Sequence, residues 1–93
     1  MIRQFVESAP DGVEAIAGAC ERGDAEALSQ EAHGLKGASA TFGAVRVAKA
    51  CEALERAARE GDLHQARSLV SELQQAWAVT EVALQTGLQP SRR

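Results

Sequence analysis

The pair Gly-Asp occurs twice, at Gly23-Asp24 and Gly61-Asp62, each time directly after two charged residues, Glu21-Arg22 and Arg59-Glu60. Glycine adopts the left-handed conformation that closes a helix, and aspartate caps the helix that follows. The two phrases therefore read as one tight turn used twice. Asp62 is followed three residues later by Gln65, the spacing of a capping box. Pro10 is a further break, and Gly87 with Pro90 ends the last periodic segment.

Between these breaks apolar residues recur at spacings of three and four, the period of an amphipathic helix. The first segment, about 2–22, carries Val13, Ile16, Ala17 and Cys20 on one face. Proline suits a first helical turn, where its missing N–H has no intrahelical use. Pro10 is thus expected to split this segment into a short helix and a second one beginning near Pro10 or Asp11. The next helix runs from after Asp24 to about Ser39 or Ala40, with Leu28, Ala32, Leu35 and Ser39 inward. A third starts near Gly43 and ends near Glu60, with Val47, Cys51, Leu54 and Ala58 inward. The last starts after Asp62 and reaches about Thr86, with Leu63, Ala66, Leu69, Val70, Leu73, Trp77, Thr80 and Leu84 along one side.

Nineteen alanines, no tyrosine and only three aromatic residues, Phe5, Phe42 and Trp77, favour helices over a sheet. Short turns make successive helices antiparallel neighbours. The expected architecture is all-α: an antiparallel up-down-up-down four-helix bundle with a short extra N-terminal helix. It forms one domain over residues 1–88, followed by a loose C-terminal tail over 89–93.

Composition removes several function classes. A chain of 93 residues is too short for the substrate pocket of a typical kinase, dehydrogenase or hydrolase, so an autonomous enzyme is not expected. Ten basic against thirteen acidic residues, net charge -3, with no basic stripe, speak against nucleic acid or an anionic membrane surface. No apolar run approaches the ~20 residues of a membrane span, and residues 1–6 do not read as a signal peptide, so a cytoplasmic location is expected. Cys20 and Cys51 fall in apolar helical patterns and read as buried thiols. His64 reads as a surface residue and Trp77 as core. A metal site built from His33, His64 and the cysteines has no ligand spacing behind it, and no cofactor is expected.

One stretch is not explained by packing: His33-Gly34-Leu35-Lys36-Gly37-Ala38-Ser39-Ala40-Thr41-Phe42-Gly43. Gly34 and Gly37 fall inside the second helix, where each costs about 1 kcal/mol relative to alanine. Two such costs in one turn imply a surface kept bare for another body. His33 lies about 160° around the helix from the inward Leu35. His33, Lys36 and Gly37 stand at i, i+3 and i+4 and share the outer face. A neutral imidazole is a good nucleophile, and a phosphoryl group on it would carry roughly two negative charges. Lys36 would screen that charge, and Gly34 and Gly37 would let a partner's active site approach. The other ring nitrogen needs an acceptor to settle its tautomer, and Glu55 on the third helix is placed to supply one. Taken singly, these residues have plain readings. A lone helical histidine is usually a surface residue, and Glu52, Glu55 and Arg59 are also the pattern of a solvated stripe with an i, i+4 ion pair.

The run His33-Gly34-Leu35-Lys36-Gly37-Ala38-Ser39, followed by Gly43-Ala44 and then Cys51-Glu52-Ala53-Leu54-Glu55, resembles the signature of histidine-containing phosphotransfer (HPt) domains. The resemblance extends over nearly the whole chain. It implies a four-helix bundle that takes a phosphoryl group from an aspartyl-phosphate of a receiver domain and passes it to a second receiver domain. His33 would be the phosphoacceptor, Lys36 the cation near the phosphate, and Glu55 the residue that hydrogen-bonds the ring. Gly37 would be the small residue at the partner contact, with Gly34, Ala38 and Gly43 around it. The Mg²⁺ of the reaction would come with the receiver domain. The implied partners are response-regulator receiver domains and a hybrid histidine kinase, and the implied state is a monomer. Two features depart from the pattern. Gly34 stands where many members carry a larger residue, and Pro10 is expected to shorten the first helix and reduce its contact surface.

Two other readings stay open at the level of sequence. One is the dimerisation and histidine-acceptor part of a sensor kinase, in which two helices per chain pair to make the bundle. The other is a non-catalytic helical interaction module, for which the paired helix glycines have no purpose.

Overall fold

The computed structural model describes residues 2–86, which form four helices: α1 (Ile2–Arg22), α2 (Ala25–Thr41), α3 (Val45–Glu60) and α4 (Leu63–Thr86). There is no strand among the described residues. Each helix packs on the next, and α4 returns to α1, so the four close into a ring around one core. The bundle is 41 Å long. A helix the length of α4 spans about 36 Å at 1.5 Å per residue, so the helices run along the long axis.

Three turns of one construction join them. At Gly23 the N–H of the glycine donates to the carbonyl of Cys20 (3.1 Å), and the N–H of Asp24 donates to Ala19 (2.9 Å). The same pair of bonds runs from Gly61 to Ala58 (3.1 Å) and from Asp62 to Ala57 (2.9 Å). It recurs from Gly43 to Ala40 (3.2 Å) and from Ala44 to Ser39 (2.8 Å). This is the Schellman closure, which needs a residue at positive φ. Gly23, Gly43 and Gly61 supply it at 71°, 75° and 72°. Sequence repetition reveals two of these turns; the third has no aspartate to mark it.

The caps follow the same logic. Asp24 Oδ1 accepts from the N–H of Ala27 (3.1 Å), and Asp62 Oδ1 accepts from the N–H of Gln65 (3.0 Å). The N–H of Asp62, which the Gln65 side chain would reach in a full capping box, is already bonded to Ala57. Ala44 caps α3 with no side-chain bond and is buried. A carboxylate at that position would be taken out of water without a partner.

The expected break at Pro10 does not divide the first segment. α1 is one helix with Pro10 inside it, so among the described residues there is no separate short N-terminal helix and the first helix is not shortened. Pro10 removes one i→i−4 bond and crowds the preceding turn, an interior cost of about 3 kcal/mol. Tertiary packing outweighs that cost. Phe5 and Ala9 before the proline, and Val13 and Ile16 after it, are all buried in the same core. α3 begins at Val45, just past Gly43, whose positive φ belongs to the turn.

The inward faces of α2 and α3 are those read from periodicity: Leu28, Ala32, Leu35 and Ser39 on one, Val47, Cys51, Leu54 and Ala58 on the other. On α1, Ala19 is buried and Ala17 is only half-buried. On α4, Ala66, Leu73 and Trp77 are buried, joined by Ala76, while Leu63, Leu69, Val70, Thr80 and Leu84 are half-buried. The three aromatic rings gather into one cluster. Phe5 stacks on Phe42 with centroids 5.0 Å apart and meets the edge of Trp77 at 5.5 Å. Edge-to-face and stacked ring pairs add to the burial energy, and here they tie α1, the turn after α2, and α4 together. Both cysteines are buried and unpaired, and His64 is exposed. No helix among the described residues is long and apolar enough to cross a membrane. The breaks at Gly87 and Pro90, the domain limit at residue 88 and the tail over 89–93 lie outside the described residues.

Candidate functional site

Burying Leu28, Ala32, Leu35 and Ser39 sets the rotation of α2 and turns His33 outward, with its side chain 69% exposed. The corresponding rotation of α3 buries Cys51 and Leu54 and brings the next residue, Glu55, to the α2–α3 boundary, where it is buried. The two helices thus present an imidazole and a carboxylate to one another. His33 Nδ1 lies 3.0 Å from Glu55 Oε2. Lys36 Nζ lies 3.0 Å from the other oxygen, Oε1, and Arg59 Nη1 lies 3.5 Å from Oε2.

The charge on Glu55 decides the tautomer of His33. The Lys36 ammonium bonded to Glu55 is the largest influence on its carboxyl; burial pushes the other way, and the bond from His33 adds to Lys36. The net result holds Glu55 below the usual carboxylate range. An ionised carboxylate only accepts hydrogen bonds, so the proton of a neutral His33 ring sits on Nδ1 and is donated to Oε2. Nε2 then keeps its lone pair, and it has no hydrogen-bond partner among the described residues.

The surface beside the ring is bare. A Cβ built on Gly34 or Gly37 meets nothing within 4 Å. Neither glycine answers a packing need inside the chain, although the carbonyl of Gly37 accepts from Thr41 Oγ1 (3.0 Å).

The family model described as Hpt domain matches residues 1–83. The chain belongs to the Hpt domain family. Among solved structures, this Hpt domain is similar to the crystal structure of histidine-containing phosphotransfer protein B (HptB) from Pseudomonas aeruginosa PAO1. The two share 32% identity with a TM-score of 0.88, over 97% of this chain and 78% of that one. A search of curated proteins returned no match.

Not every motif residue of this Hpt domain lies at the ring. His33, Gly34, Lys36, Gly37 and Glu55 come together. Ala38 is half-buried and packs against the core instead of presenting a bare surface. Gly43 lies beyond the C-terminal end of α2, and its positive φ shapes the turn into α3. Lys36 is not a free surface cation: it is bonded to Glu55, and its side chain is only 33% exposed. Arg59 reads in sequence as one end of a surface ion pair, yet it shares the carboxylate oxygen that holds His33. The i, i+4 spacing from Glu55 was the visible signal; the role of Glu55 in joining the two was not.

Two further polar groups lie near these residues in sequence. Burial, reinforced by the charge of Glu55 and opposed by Lys36, pushes the Cys51 thiol up to about 12, so it stays a neutral packing group. Ser39 Oγ is buried with no hydrogen-bond partner among the described residues. No group of three or more His, Cys, Asp or Glu side chains capable of holding a metal occurs among the described residues.

Proposed function

We propose that this Hpt domain is a phosphorelay intermediate in which His33 accepts a phosphoryl group from an aspartyl-phosphate of one receiver domain and passes it to another. The observation that carries this reading is the pairing of an exposed ring with a buried anion: Nδ1 faces Glu55 at 3.0 Å while the ring stays 69% exposed. Nε2 attacks phosphorus as the bond to the aspartyl oxygen breaks, and the aspartate carboxylate leaves with the electron pair. The ring becomes cationic as the N–P bond forms, and the Glu55 carboxylate stabilises that charge through the Nδ1–H bond. Transfer onward reverses these steps. The Mg²⁺ of the reaction belongs to the receiver domain, which also supplies most of the charge stabilisation at phosphorus.

In this reading the chain is a carrier, not a kinase. It acts as a monomer between a hybrid histidine kinase and a response regulator. Four helices from one chain support it over the sensor-kinase alternative, which needs a second chain to complete its bundle. The test is incubation with phosphorylated receiver domains from the source organism. The chain should acquire acid-labile phosphate, and His33→Gln should not. Label retained by His33→Gln would place the acceptor elsewhere.

A further inference from the structure

Three cationic or hydrogen-bonding groups share the Glu55 carboxylate, and they are held unequally. Lys36 approaches Oε1 at 3.0 Å, and no other group among the described residues bonds that oxygen; the Lys36 side chain is two-thirds covered. Arg59 approaches Oε2, which already accepts from His33, and does so at 3.5 Å with its side chain 64% exposed. That distance is too long for a strong hydrogen bond. Removing Lys36 from Glu55 would leave a buried carboxylate without its nearest counter-charge, whereas removing Arg59 would leave both oxygens bonded. A guanidinium also offers a planar fork of donors that matches phosphate oxygens.

We infer that Arg59 is the cation that exchanges partners in the reaction, leaving Glu55 Oε2 for the phosphoryl group on His33, while Lys36 stays on Glu55 as a positioning residue. This rests on the reading of His33 as phosphoacceptor, and it moves the phosphate-facing charge from Lys36 to Arg59.

The experiment uses phosphoramidate as donor, so that no receiver domain is needed. Its P–N bond breaks, ammonia leaves, and a new N–P bond forms on His33 Nε2. The phosphorus resonance of the loaded chain is then followed by NMR as pH is varied. A nearby cation favours the dianion and lowers the midpoint of the phosphoryl titration. Losing a unit charge about 5 Å away in a water-like medium raises that midpoint by about half a unit. Arg59→Gln should show this rise, Arg59→Lys should restore most of the wild-type midpoint, and Lys36→Gln should move it less than Arg59→Gln does. A midpoint in Arg59→Gln equal to wild type, or a larger rise in Lys36→Gln, overturns the assignment to Arg59 alone. A wild-type chain that takes no phosphoryl group on His33 overturns the phosphoacceptor reading and this assignment together.

Discussion

His33 Nδ1 and Glu55 Oε2 lie 3.0 Å apart across the α2–α3 boundary, although the two residues are 22 positions apart in the chain. The contact joins an exposed ring to a buried carboxylate, so one partner is free to react while the other is held in place. Replacing Glu55 separates the two contributions. Glu55→Gln keeps an acceptor for Nδ1–H but removes the charge; Glu55→Ala removes both. Charge-assisted hydrogen bonds contribute about 1.5–3 kcal/mol. Phosphotransfer should therefore fall roughly 10- to 100-fold in Glu55→Ala, and less in Glu55→Gln. Nitrogen NMR of His33 should show the Nδ1–H tautomer losing its dominance in Glu55→Ala. Equal rates in wild type and Glu55→Ala would show that the carboxylate does not act on the ring.

The same carboxylate makes stability depend on acid. Glu55 is held below its ordinary value of 4.5 in the folded chain, chiefly by Lys36. The unfolded chain therefore takes up the proton first as pH falls. The stabilisation from Glu55 is complete above its unfolded pKa and is lost as pH drops through the lowered folded value. Urea unfolding between about pH 6 and pH 3 should show a steeper loss in wild type than in Glu55→Gln, which has no carboxyl to protonate there. Parallel pH profiles would mean that the Lys36 contact does not stabilise the fold.

Gly34 and Gly37 should show opposite effects on stability and on transfer. Nothing lies within 4 Å of a Cβ at either position. Gly34→Ala and Gly37→Ala should each add about 0.5–1 kcal/mol, a melting rise of about 4–8 °C per kcal/mol for a chain of this size. Both should slow transfer from a receiver domain and leave loading by phosphoramidate unchanged, because only a large partner meets the added methyl. Gly43 is the control of opposite sign. Its φ of 75° is costly for an L side chain, so Gly43→Ala should lower stability by about 1–2 kcal/mol.

Pro10 should prove a burden to α1. It sits inside a helix whose two halves are both packed into the core. Pro10→Ala restores a backbone donor and should stabilise the fold by about 1–3 kcal/mol, less the entropy that proline removes from the unfolded chain. The midpoint of urea unfolding reports it. A loss of stability would mean that the proline ring itself is needed in the packing.

Much of this was legible along the chain because it is local. Glycine-aspartate turns, caps and inward stripes depend on residues a few positions apart. The outward direction of His33 follows from its angle to Leu28, Ala32 and Leu35, which hydrophobic burial sets. At Pro10 the local preference and the fold disagree, for the complementary reason. Its local preference to begin a helix is real, but Phe5, Ala9, Val13 and Ile16 share one core across it, and a local rule cannot count that burial.

Contacts between helices arise from packing across the bundle. The inward stripes of the helices, the two glycine-aspartate turns and the face on which His33 stands follow from the chain alone, since a helix repeats its geometry every few residues. Which oxygen of Glu55 faces His33, that Lys36 bonds the carboxylate instead of standing free, and that Arg59 joins the same group depend on the rotation and spacing of α2 against α3. Those quantities come from close packing of side chains distant in sequence, and no periodicity within one helix carries them.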